Sequence, residues 1–253
     1  MRGAAAWVLL RGLTREGRHW GASFPQALRD AFPGVSVGAL DLPGNGRFHK
    51  LASPASVPRM AAFCRTELER QGIAPPYHLL AMSLGAMVAV AWAQSHPAEL
   101  AGCVLINTSL RPFSPFYQRL RPGNYAALLR LALGRSPPRE AEATVLLLTS
   151  RRAEMHARVL DDWVRYRLDN PVAPANALRQ LLAAARYQAP PAKPLPRILI
   201  LCSRGDGLVG SRCSLRLAER WGCDLVEQPD AGHDLVLDDE AWVVREVRRW
   251  VGI

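Results

Sequence analysis

The stretch HLLAMSLGAMVAVAWAQSHP, residues 78–97, decides how the chain is read. An apolar run with strand character ends at Met82, and an apolar run with helical character begins at Leu84. Ser83 stands at the junction. Serine is a favoured helix N-cap, because its oxygen accepts from the first free N–H groups of a helix. A serine on a sharp strand-to-helix turn is equally suited to be an exposed nucleophile. That second reading requires small residues two positions before and two after the serine, where larger side chains would collide with the strand and the helix. Ala81 and Gly85 occupy those positions.

A serine hydroxyl is a weak nucleophile and needs a base oriented by a third group. Histidine suits the role because its ordinary pKa lies near neutrality. A nucleophile on this kind of turn is followed along the chain by the acid and then the histidine. Three histidines follow Ser83. His96 falls at the end of the helix that Ser83 begins, about 20 Å along its axis. His156 lies inside a later helical run. His233, in QPDAGHDLVLDDEAW, comes after the last strand and before the last helix, where sites assemble in open α/β sheets. Asp206, in RILILCSRGDGLVGSRC, is the expected acid, with Gly205 and Gly207 expected to give its loop an unusual conformation. Asp234 and Asp230 are rivals, but Asp234 adjoins His233, where neighbouring side chains diverge. Backbone N–H groups of Leu84 and of Leu13, after Gly12, are the expected donors to an oxyanion.

Around this core, near-continuous apolar runs at 6–11, 35–42, 77–82, 103–107, 197–203 and 223–228 predict parallel strands covered on both faces. Helices are expected near 22–32, 57–71, 84–95, 209–221 and 238–250, and the alternation implies a doubly wound sheet. Between 108 and 196 the pattern breaks into helical runs near 123–133, 138–149, 152–168 and 174–186. Only TVLLLT (144–149) there has any strand character. Residues 1–110 and 191–253 are therefore expected to form the core, and 111–190 a helical cap inserted before the last two strands.

Composition narrows the function classes. The 253 residues are 49% hydrophobic, which excludes a disordered chain. The formal charge of +10 comes from dispersed arginines, with Lys50 and Lys193 the only lysines, and no basic run or nucleic-acid motif accompanies it. Nucleic-acid binding is not expected. No apolar stretch reaches the length of a membrane span, and Arg11 interrupts the short N-terminal apolar run before it can read as a signal peptide. Five cysteines without a C-x-x-C pair read as reduced thiols of a cytoplasmic protein, with no metal site and no cofactor.

The segments LLRGLTREGRHW, LDLPGNG, AMSLGAMVAVAWAQSHPAELAGCVLIN, SRGDGLV and AGHDL together resemble the α/β-hydrolase superfamily over most of the chain outside 111–190. The resemblance implies an α/β-hydrolase fold, and the strand candidates above give a mostly parallel sheet of about six strands instead of the family's common eight. It also implies a serine hydrolase acting on a carboxylic ester or thioester: Ser83 as nucleophile, His233 as base, Asp206 as orienting acid, Leu13 and Leu84 at the oxyanion hole. Ala81, where glycine is usual, is a mild departure; two larger ones are Arg11-Gly12, where His-Gly is usual, and a first parallel strand that begins without the family's usual N-terminal antiparallel hairpin. The chain is similar to small cap-bearing carboxylesterases, including pimeloyl-carrier-protein methyl esterases. Arginines of the expected cap (130, 135, 139, 151, 152, 158 and 165) make an acidic acyl carrier protein a candidate partner, although helical arginines are ordinarily solvated. Phe113, Phe116, Tyr117, Tyr125, Trp163 and Tyr166 are candidates to line an acyl pocket. Asp41 is expected to order a loop. Acyl transfer with the same three residues, or a silent binding module on the same fold, are the alternatives.

Overall fold

The computed structural model describes residues 5–252, so Met1–Ala4 and Ile253 of the expected core lie outside it. Strands β1 (Ala6–Leu10), β2 (Val37–Leu40), β3 (Tyr77–Met82) and β4 (Leu100–Ile106) alternate with helices α1 (Ser23–Ala31), α2 (Val57–Arg70) and α3 (Leu84–Ser95). Five helices follow β4: α4 (Phe116–Arg119), α5 (Tyr125–Ala132), α6 (Pro138–Thr149), α7 (Ala153–Asp169) and α8 (Pro174–Arg186). The chain then completes the sheet with β5 (Ile198–Ser203), α9 (Arg212–Trp221), β6 (Asp224–Gln228) and α10 (Leu235–Val251).

The six strands run in the order β2-β1-β3-β4-β5-β6, and every pairing is parallel. The order reverses between β1 and β3, which opens a crevice at their carboxyl ends. The four central strands, β1, β3, β4 and β5, bury both faces, which explains their continuous apolar runs, whereas the edge strands β2 and β6 are only partly buried. Val8, Leu10, Leu79 and Ala81 face one core with α2, α3 and α9, while Trp7, Leu9, Leu80 and Met82 face a second core with α1 and α10. Helix α3 is buried from Leu84 through Ala93, pressed between the sheet and α2. Each large aliphatic side chain so buried contributes about 1.5–3 kcal/mol.

Differences from the sequence reading are local. TVLLLT is helical: it completes α6, which starts at Pro138 and buries Ala141, Glu142 and Leu146 at helical spacing. Strand β2 is shorter than 35–42, and β4 begins earlier than 103, at Leu100. Helix α10 starts at Leu235 rather than near 238, because the Asp234 side chain accepts from Leu237 N (3.4 Å), and its regular geometry is broken at Asp239. The two ends of the α4–α8 excursion are tied together where Ala189 N donates to Arg111 O at 2.7 Å. Four of the cysteines, Cys64, Cys103, Cys202 and Cys213, are buried, Cys223 is half-buried, and all five are free.

Candidate active site

Ser83 does not act as a helix cap. Its backbone sits at φ +54° and ψ −116°, far from the extended conformation of an N-cap residue, and its side chain makes no capping hydrogen bond. Holding a non-glycine residue in such a conformation costs on the order of 1–3 kcal/mol, which the surroundings must supply. Ser83 N donates to Ile106 O of β4 at 3.0 Å, and Ser83 O accepts from Ala86 N at 3.1 Å. Gly85 permits the closest approach in the turn. A Cβ there would lie 2.4 Å from Leu10 O and 2.7 Å from Arg11 O, both backbone atoms that cannot move aside. The end of β1 therefore rests directly on the first turn of α3. Gly12 is drawn against the serine as a result, and a Cβ on it would lie 3.1 Å from Ser83 Cβ.

His233 follows β6, and its Nδ1 lies 2.7 Å from Asp206 Oδ2, with both side chains buried. The other carboxylate oxygen of Asp206 accepts from Leu208 N and Val209 N, each at 2.8 Å, so the loop after β5 fixes the carboxylate. A carboxylate acceptor at Nδ1 leaves Nε2 as the basic nitrogen of the neutral ring. Burial disfavours the charged ring. The charge and hydrogen bond of Asp206, with help from Asp234, outweigh burial and raise the His233 pKa above the ordinary histidine value.

Neither Gly205 nor Gly207 has a positive φ. Gly205 is instead a matter of space: a Cβ on it would lie 2.7 Å from Ala231 O, in the loop that carries His233. Asn107, absent from the sequence-derived site, ties these loops together. At φ +46° after β4, its side chain donates to His233 O (2.8 Å) and accepts from Ser203 N (2.7 Å). Its signal in the sequence was only an asparagine directly after an apolar strand.

The other histidines and acids are placed elsewhere. His96 caps the C-terminus of α3, and His156 lies within α7. Asp230 is exposed. Asp41 orders a loop as expected, accepting from Gly17 N at 2.6 Å and Arg47 N at 3.0 Å. Asp234 turns away from His233 to a buried ion pair with Arg11, whose Nη1 and Nη2 lie 3.1 and 2.5 Å from its two oxygens. The Arg11 guanidinium also lies 4.8 Å from the Trp20 ring centroid. The arginine that departs from the usual His-Gly thus holds the residue next to His233. Leu13 N has no acceptor among the described residues, and Leu84 N belongs to the first turn of α3, where N–H groups lack intrahelical partners. Thr14, at φ +55°, shapes the loop after β1 that carries Leu13.

A cavity of about 130 Å³ opens over Ser83 and His233, closed on its far side by residues of α5 to α8. One wall is apolar, with Leu128, Val145, Leu148, Leu181 and Leu208. The lining also holds a polar cluster, Arg15, His19, Glu142 and Arg167 packed with Trp163 and Tyr166. Of the expected pocket aromatics, then, Trp163 and Tyr166 reach the cavity and Phe113, Phe116, Tyr117 and Tyr125 do not. Phe113 packs edge-on against Trp221 of α9, at 5.7 Å between centroids. Phe116 is 71% exposed, because α4 is a single short turn at the outer entry of the excursion. Tyr117 is half exposed beside it, and Tyr125 also faces outward. Arg15, His19, Glu142 and Arg167 were missed because charged residues on helices and loops ordinarily read as solvated.

The sequence matches the model of the Alpha/beta hydrolase family over residues 7–246, and the chain belongs to that family. No curated protein matches it. Solved structures share the fold at low identity. An esterase from Thermogutta terrifontis, solved with malate bound, is 20% identical with a TM-score of 0.75, covering 98% of this chain and 90% of that one. Esterase RhEst1 from Rhodococcus sp. ECU1013 is 19% identical with a TM-score of 0.76, at 98% and 90% coverage. A 2-hydroxy-6-oxo-6-phenylhexa-2,4-dienoate hydrolase from Rhodococcus sp. strain RHA1 is 19% identical with a TM-score of 0.75, at 99% and 91% coverage.

Proposed function

We propose that the chain is a serine hydrolase that cleaves a carboxylic ester or thioester through an acyl-enzyme on Ser83. The observation that carries this reading is the uncapped, left-handed Ser83 in one cavity with His233, whose Nδ1 is bound to Asp206. Ser83 Oγ attacks the carbonyl carbon while His233 Nε2 takes its proton. The C–O or C–S bond to the leaving group then breaks, and the leaving group takes that proton from His233. Water, deprotonated by the same ring, attacks the acyl-enzyme, and the acid leaves as the acyl–Oγ bond breaks and His233 returns the proton to Ser83 Oγ. Asp206 holds the tautomer and stabilises the charged ring. Leu13 N–H and Leu84 N–H receive the oxyanion, each donor worth about 3 kcal/mol in the transition state. Residues 111–190 act as a cap that excludes water from the cavity. The free thiols favour a cytoplasmic setting. Exposed cap arginines such as Arg130, Arg135 and Arg158 would suit an acidic carrier of the acyl group.

The test is intact-mass analysis after exposure to a fluorophosphonate. One adduct is expected on the parent, none on Ser83→Ala and very slow labelling of His233→Ala. A folded parent that takes no adduct would overturn the reading.

A further inference from the structure

The polar part of the cavity wall contains a guanidinium whose donors its own acids do not all use. Glu142, 1% exposed, accepts from two guanidinium groups: Arg15 Nη1 at 2.6 Å and Arg167 Nε at 2.5 Å. The neighbouring acids are engaged elsewhere: Glu16 with Arg18 and with Asn170 Nδ2 (2.8 Å), and Asp234 with Arg11, while Arg18 also meets Asp169 at 2.7 Å. His19 does not add to the charge. Its Nε2 lies 2.8 Å from Arg15 Nη1, and since a guanidinium only donates, that nitrogen accepts. Burial, with Arg15 and Arg11 nearby, holds the ring well below the ordinary histidine pKa, so it is neutral.

Arg15 itself is more than nine-tenths buried, and its Nη2 has no hydrogen-bond partner. Its guanidinium lies 4.9 Å from the Trp163 ring centroid, which fixes its plane. A buried guanidinium with an unused donor is a costly feature unless something accepts from it. Arg15 is also two residues from Leu13, so its Cα is within about 7 Å of the proposed oxyanion donor. A ligand whose carbonyl sits over Ser83 can reach it.

We propose that Arg15 and Arg167, held by Glu142, form a recognition site for a carboxylate, and that the substrate carries such a group in addition to its scissile ester or thioester. The apolar wall accommodates the rest of the molecule. This inference rests on the hydrolase reading for the ester and on the cluster alone for the anion.

Two measurements separate those parts. The first compares kcat/KM for the p-nitrophenyl monoester of glutarate with that for p-nitrophenyl valerate, its neutral counterpart. The ratio is expected to favour the glutarate monoester in the parent, to fall about tenfold or more in Arg15→Gln, the loss expected for a charge-assisted hydrogen bond, and to recover in part in Arg15→Lys. Arg167→Gln should lower the ratio as well, and it serves if Arg15→Gln does not fold. The second measurement needs no turnover: free glutarate should raise the Tm of the parent saturably, and less in Arg15→Gln. A parent that discriminates less than threefold and shows no saturable glutarate effect overturns the carboxylate site, even if Ser83 labels. A parent that binds glutarate but never labels keeps the site and loses the hydrolase reading.

Discussion

Replacing Asp234 by alanine tests how the β1 loop and the His233 loop are held together. Asp234 and Arg11 are 2% and 3% exposed, and both carboxylate oxygens are engaged. Removing one partner of a buried pair leaves the other charge without a counter-ion, which costs about 3–5 kcal/mol. The lost cap to Leu237 N contributes the low end of the usual 0.5–2 kcal/mol, roughly, because that bond is long at 3.4 Å. For a domain of this size the sum corresponds to a fall in Tm of roughly 10 °C. Urea unfolding followed by far-UV circular dichroism measures it. A double-mutant cycle isolates the pair: Arg11→Leu with Asp234→Ala should be much less destabilised than the two single changes added together. A loss below about 1 kcal/mol in Asp234→Ala, or simple additivity in the cycle, would refute the buried-pair argument.

Other consequences are more direct. The raised pKa of His233 places the acid limb of kcat/KM above the ordinary histidine value, with activity lost as pH falls through it, because only the neutral ring accepts the serine proton. In Asp206→Asn burial is left as the dominant influence, so the limb should move to lower pH; a limb that stays in place counts against the pairing. The same raised value makes protonation of His233 stabilising, a contribution complete below the unfolded value near 6.5 and gone once pH exceeds the folded one, readable as urea midpoints across that range. Gly85→Ala should unfold the turn or abolish fluorophosphonate labelling, since its Cβ would meet Leu10 O at 2.4 Å; a stable, normally labelled variant would contradict the close packing. Burial pushes the thiols of Cys103 and Cys202 up to about 12, so in the native protein Cys223, the least buried, should react first with a thiol reagent, and all five only after denaturation.

Much of this was legible before any coordinates. The parallel sheet followed from apolar runs too continuous to have a wet face, and both faces of β1 and β3 are indeed buried. Ser83, Asp206 and His233 could be singled out because small residues, chain order and loop position limit the choices severely. Local chemistry also predicted the place of His96, as a C-cap, and of Asp41, as a loop organiser.

What the sequence could not decide depended on contacts between distant residues. Which carboxylate meets the imidazole depends on the tertiary structure: Asp206 lies at Nδ1, and Asp234 meets Arg11, more than 220 residues away in the chain. Trp163 and Phe116 look alike as cap aromatics, yet one lines the cavity and the other faces solvent, because only helix packing determines which side of a cap is inside. The same holds for Arg15 and Glu142, 127 residues apart: each alone reads as a surface charge, and burial together makes them part of the cavity. Periodicity and spacing along the chain set the elements and the order of the candidate site residues. The identity of the cavity's walls was decided by tertiary packing, because burial is a property of pairs of surfaces and not of any single segment.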